Sequence, residues 1–216
     1  MTLKQKFISE FLGTAFLLMI VVGSGIMGEN LSQGNAAIAL LANSIATGAG
    51  LFVLIQCLGP ISGAHMNPMV SLVEVLWGRL KKQELLTYWV AQLSGSVIGV
   101  FIAHIMFNRP LIELSTKHRE DFNIIFAESI ATFGLISIVG LAGQKKMQHV
   151  PAAIALYITS AYWFTSSTSF ANPAVTLART LTNTFSGIAY NGLAKFVFAQ
   201  TLGALMAYFL LRKPLK

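Results

Sequence analysis

Two Asn-Pro pairs constrain this chain more than any other feature. The first lies in Gly63-Ala64-His65-Met66-Asn67-Pro68-Met69-Val70-Ser71-Leu72. The second lies in Ser169-Phe170-Ala171-Asn172-Pro173-Ala174-Val175-Thr176-Leu177-Ala178-Arg179. Asparagine is among the best helix N-caps, and proline is favoured at the first helical position. Each pair therefore opens a short helix, expected over residues 68–77 and 173–182. Ten residues of helix rise roughly 15 Å, about half of a ~30 Å hydrocarbon core. Two half-length helices between long apolar segments read as re-entrant elements that meet at the middle of a bilayer.

The setting supports a membrane. Of 216 residues, 55% are hydrophobic and 11% charged, and the mean hydropathy is +0.67. Soluble domains carry about 25% charged residues. The formal charge of +7 does not point to nucleic acid, because the basic residues sit in short gaps between apolar runs. Spans are expected at residues 7–28, 36–58 (ended by Gly59-Pro60), 85–107, 122–142, 150–166 and about 187–211, and the first is read as a retained helix. The single cysteine, Cys57, excludes an intrachain disulfide and is expected to be buried.

The two halves repeat, about 1–108 and 122–216. Ser9-Glu10-Phe11-Leu12-Gly13-Thr14 parallels Ala127-Glu128-Ser129-Ile130-Ala131-Thr132, and Ala91-Gln92-Leu93-Ser94-Gly95 parallels Ala199-Gln200-Thr201-Leu202-Gly203. Each half holds three spans, an odd number, so the second half is inverted. Inverted repeats with broken helices are a transport architecture. The fold class expected is all-α: six transmembrane helices plus two re-entrant half-helices, forming one channel domain. With both termini in the cytoplasm, Lys4, Lys6, Arg79, Lys81, Lys82, Lys145, Lys146, Arg212, Lys213 and Lys216 lie inside. Only Arg109, Lys117 and Arg119 lie outside, so the positive-inside rule selects this orientation.

The caps carry the chemistry. A capping asparagine accepts backbone N–H through its side-chain oxygen and keeps its NH₂ as a donor. If Asn67 and Asn172 meet tip to tip, two NH₂ groups face one point, and two positive helix ends point there too. Cations and protons are repelled while neutral hydroxylated solutes pass.

On these residues, with Ser62-Gly63-Ala64-His65 and the repeated Glu10 and Glu128, the chain resembles the aquaporin and aquaglyceroporin superfamily over its whole length. The resemblance implies one pore per subunit, a homotetramer in the inner membrane, and no cofactor. It places Met69 and Ala174 beside the asparagines at the pore midplane. It also places an outer selectivity filter at Thr47, Ser160, Ser169 and Val175. Most members carry an arginine at the position of Val175, and the usual third residue of the first box is alanine, not Met69. A filter of three hydroxyls and one valine is wide and neutral, unlike that of a water-only pore. The run Asn-Pro-Ala-Val-Thr-Leu-Ala-Arg is similar to a bacterial subgroup associated with arsenic resistance. That similarity implies arsenous acid and small polyols as cargo, with glycerol, urea and water as alternatives.

Other charged residues have plainer readings. Glu10 and Glu128 are expected to accept backbone N–H groups of the re-entrant loops, and His65 to shape the first loop. Glu74 and Arg179 each follow their asparagine by seven residues. Glu74 is expected to pair with a basic neighbour such as Arg79. Arg179 either adds positive potential to the outer vestibule or binds loop carbonyls. Gly95 and Gly99 form a small-xxx-small pair for close helix contact. Tyr162, Trp163 and Phe164 are expected to anchor at the interface. No catalytic triad, paired carboxylates or metal-ligand cluster is present in the sequence, so an enzyme is not expected. The competing transport class is an ion-coupled carrier, which would need charge on the pathway beyond Glu10 and Glu128. A closed structural member of the family would conduct nothing.

Overall fold

The computed structural model describes residues 1–145 and 149–212. Lys146, Lys213 and Lys216, used above for orientation, lie outside the described residues. Eight α-helices are present among those described: α1 (Leu3–Leu31), α2 (Ala36–Ser62), α3 (Pro68–Leu76), α4 (Leu85–Met106), α5 (Phe122–Lys145), α6 (Val150–Phe164), α7 (Pro173–Arg179) and α8 (Tyr190–Leu211). Helices α1, α2, α4, α5 and α8 are long and apolar enough to cross a membrane. Helix α6 has 15 residues, and α3 and α7 have 9 and 7.

The ends of these elements follow local chemistry. Thr2 and Gln5 form a reciprocal capping box at the start of α1. Asn35 caps α2. That helix runs through Gly59-Pro60, where a break was expected. Pro60 sits in the final turn and removes only one backbone bond there. The stop is Gly63, which adopts φ +90 and donates its N–H to the Gly59 carbonyl. Helix α7 ends at Arg179, three residues before the expected limit, where the Thr180 hydroxyl donates to the Leu177 carbonyl at 2.7 Å.

Helix pairing repeats between the halves. Helix α1 packs on α4, and α5 packs on α8. A Cβ on Gly95 would meet the Phe11 carbonyl, and one on Gly203 would meet the Ser129 carbonyl. Each contacted residue directly follows a buried glutamate, Glu10 or Glu128. Gly99 approaches the Ala15 carbonyl in the same way, as expected of the small-residue pair.

The outward surface is apolar. Phe16, Ile45, Phe126, Leu156 and Phe198 are exposed, an arrangement suited to lipid tails and costly in water. Cys57 also lies on this surface rather than in the core. Apolar residues on a spanning helix need not point inward, so hydrophobicity did not predict its side.

Candidate functional site: the lumen between the two half-helices

The two half-helices meet through their caps. Asn67 accepts the Met69 N–H at 2.9 Å, and Asn172 accepts those of Ala174 and Val175 at 2.9 and 3.3 Å. The side-chain amides then cross. Asn67 Nδ2 donates to the Ala171 carbonyl at 2.7 Å, and Asn172 Nδ2 donates to the Met66 carbonyl at 2.7 Å. Both NH₂ groups were expected to be wholly free. Instead each spends one N–H locking the opposite loop and retains one. Both asparagines line a cavity of about 320 Å³.

The loops before the caps are built alike. Ala64 and Met66 adopt φ 50 and 48, while Ser169 and Ala171 adopt φ 49 and 48. Left-handed backbone at a residue other than glycine costs roughly 1–2 kcal/mol and persists where neighbours over-determine it. Here the neighbours are the two glutamates. Glu10 Oε1 accepts from the Ser62 hydroxyl at 2.7 Å and the His65 N–H at 2.9 Å, and Oε2 accepts from the Met66 N–H at 2.7 Å and Gln92 Nε2 at 2.8 Å. Four donors thus converge on its two oxygens. Glu128 accepts the N–H groups of Phe170, at 3.3 Å, and Ala171. Gln92 also bonds Ser71, and Gln200 bonds Thr176, each four residues past its asparagine. His65 Nδ1 lies 3.1 Å from the Ser71 hydroxyl, and His65 lines the cavity.

The cavity wall is made of helix ridges spaced four residues apart. On α6 these are Val150, Ile154, Ile158 and Tyr162; on α2 they are Thr47, Leu51 and Ile55. Ser160 lies midway between two ridge residues and so faces the other way. It is exposed, and its hydroxyl donates to the Tyr157 carbonyl of its own helix. The α6 contribution at this level is Tyr162, whose hydroxyl lies 3.2 Å from that of Thr47. Tyr162 is buried and faces the lumen rather than the interface, while Trp163 and Phe164 are exposed. The four-residue spacing of Ile154, Ile158 and Tyr162 was the available signal.

Thr47, Ser169 and Val175 line the cavity. Met69 and Ala174 do not. Met69 packs among Val73, Ile136, Ala204 and Ala207, with Thr201 donating to its sulfur at 3.6 Å, and Ala174 is fully buried. Both follow the proline on the first turn, and that side of each half-helix faces protein, not lumen. Methionine in place of alanine therefore alters packing against α8, which a flexible side chain can fill.

Charge lines the two ends of the cavity. Glu74 and Arg179 are both lining residues. Glu74 pairs with Arg79 at 2.7 Å, and the Arg79 guanidinium lies 4.5 Å from the Trp77 ring centroid. Arg179 both lines the cavity and donates to a loop carbonyl, that of Ser186. Around it, residues 109–118 and 180–189 form an irregular shelf. The Ser115 N–H donates to the Thr180 carbonyl at 3.0 Å, and the Ala189 N–H donates to the Lys117 carbonyl at 2.8 Å. Buried His104 clips this shelf. Its Nδ1 donates toward the Pro110 and Leu111 carbonyls, and Nε2 lies 2.7 Å from the Thr182 hydroxyl. No group of side chains suited to holding a metal occurs among the described residues.

A helical membrane protein whose two half-helices meet cap to cap beside a lined cavity is a channel. A family model described as "Major intrinsic protein" matches residues 1–166, and the chain belongs to that family. It is a membrane channel for small neutral solutes, not an enzyme. The aquaglyceroporin AqpS of Rhizobium meliloti (strain 1021) is 50% identical over 211 residues, covering 97% of this chain and 90% of its own length. The aquaporin NIP2-1 of Oryza sativa subsp. japonica is 29% identical over 207 residues, covering 94% and 68%. The X-ray structure of the aquaglyceroporin from Plasmodium falciparum superposes with a TM-score of 0.74 at 18% identity, covering 99% of this chain and 97% of that one. That likeness establishes an all-α, aquaporin-like fold.

Proposed function

We propose that this channel conducts glycerol-type polyols, metalloid hydroxides such as arsenous acid, and water, and excludes ions and protons. The observation that carries the proposal is the outer lumen. Thr47, Tyr162 and Ser169 present hydroxyls around Val175, where the resemblance led one to expect an arginine. A neutral solute with several hydroxyls can exchange water for these partners, while the valine leaves width. At the middle, the remaining N–H of Asn67 and of Asn172 offers two donors in succession. Each sits at a helix N-terminus, where positive potential opposes cations. The high identity to an aquaglyceroporin supports the polyol reading.

The assembly proposed is six spans and two re-entrant half-helices in an inverted repeat, with α6 as the shortest span. Both termini face the cytoplasm, and four subunits associate in the inner membrane, each with its own pore. The repeated glutamates, glutamines and glycines support the internal symmetry.

Purified protein in liposomes tests the reading. Shrinkage and uptake are followed in parallel for water, glycerol, urea and arsenous acid. Glycerol and arsenous acid fluxes linear in their gradients, and independent of sodium and pH, are expected. Water flux alone would reduce the channel to a water pore. Saturable, sodium- or pH-dependent flux would replace it with a coupled carrier.

A further inference from the structure

Arg179 is 2% exposed, and a guanidinium that enclosed normally spends its five N–H donors on acceptors. Among the described residues, Arg179 spends one. Its Nε donates to the Ser186 carbonyl, and its Cζ lies 3.4 Å from the ring centroid of Phe170. The two terminal NH₂ groups have no acceptor among the described residues, and the residue lines the cavity. Nearby Arg119 behaves differently: its donors go to the carbonyls of Gly187 and Ser167 and the Thr168 hydroxyl. Ser169 shares the cavity with Arg179, and its buried hydroxyl also lacks a partner.

The Arg179 head group is held in place. Phe170 beneath it is fixed by the Glu128 carboxyl on its N–H and by the Phe196 ring, 5.0 Å away edge to face. The Ile188 N–H donates to the Arg179 carbonyl at 3.2 Å. Donors fixed on the lumen wall without a protein acceptor are available to whatever passes through.

We propose that Arg179 is the specificity-determining cation of the outer lumen. Its terminal NH₂ groups, with the Ser169 hydroxyl, replace water around the oxygen atoms of a neutral solute, and its charge turns back cations. Val175 lies one helical turn earlier and lines the same cavity. Width and charge are thus supplied by two residues of one helix face. This inference rests on the proposed channel for neutral solutes.

The test uses the full chain in liposomes with three substitutions: Arg179→Gln, Arg179→Lys and Ser169→Ala. Glycerol flux through the unmodified protein is measured first, and its absence counts against the channel proposal rather than against Arg179. Proton and potassium leak is then read with a pH-sensitive dye and by potassium-driven swelling. Arg179→Gln is expected to raise cation leak about tenfold or more, the scale of removing a unit charge beside a partly desolvated path, and to slow glycerol. Arg179→Lys should retain cation exclusion. A folded Arg179→Gln protein with unchanged leak and unchanged glycerol flux would make Arg179 a strut for the Ser186 loop and overturn the proposal. If the Arg179 variants do not fold, Ser169→Ala decides. It removes a hydroxyl that nothing in the protein binds, and glycerol flux should fall more than water flux. Unchanged glycerol flux in that variant would overturn the docking role.

Discussion

Replacing Glu10 by glutamine should damage this protein more than replacing Glu128. The side chain at position 10 is fully buried, and four donors converge on it, two on each oxygen. Glutamine keeps one oxygen and turns an NH₂ group toward the other two donors. Two buried donors are left without an acceptor, at about 1–3 kcal/mol each, so the cost is roughly 2–6 kcal/mol. Whole domains are stable by only about 5–15 kcal/mol. Glu128 accepts two backbone N–H groups, and glutamine there forfeits one of them, about 1–3 kcal/mol. The first loop carries the Met66 carbonyl that receives the Asn172 amide, so its displacement also loosens the centre of the pore. Thermal unfolding in detergent measures the first effect, and glycerol flux per folded protein measures the second. Glu10→Gln should unfold at a clearly lower temperature than Glu128→Gln and conduct less. Equal unfolding temperatures for Glu10→Gln and the unmodified protein, or a larger loss in Glu128→Gln, would refute the donor accounting.

Three further outcomes are expected. Val175→Arg should cut glycerol flux more than water flux, since it narrows the cavity and adds a like charge one turn from Arg179; equal losses would place the narrowest point elsewhere. Gly95→Ala and Gly203→Ala should each lower stability by about 1–3 kcal/mol through overlap with a facing carbonyl, while Gly59→Ala, where a Cβ meets nothing within 4 Å, should not, as read by denaturation in detergent. Tyr162→Phe should change the glycerol-to-water flux ratio by roughly two- to tenfold, the scale of one hydrogen bond, whereas Ser160→Ala should leave the ratio unchanged.

Local chemistry made much of the chain legible. The start of each half-helix was readable because Asn and Pro act on the residues beside them. The long apolar runs gave helix boundaries mostly within a few residues, apart from α2, which ran on through Pro60 to Ser62, four residues past the expected end. What failed was direction. On a helix between lipid and protein both faces are apolar, so polarity did not tell which side looked inward. Ser160 was placed in the filter through the family resemblance and faces out; Tyr162 was placed at the interface by its aromatic ring and faces in. Cys57 failed for the same reason. The crossing of the Asn67 and Asn172 amides was hidden because it joins residues about half the chain apart.

That crossing has a consequence for regulation. Since each half clasps the other through its own waist, the centre of the conduit cannot widen or shut without parting the two halves of the protein. A control that acts reversibly has to work elsewhere, at the ends, where the Glu74–Arg79 pair and the shelf around Arg179 offer parts that shift without undoing the clasp.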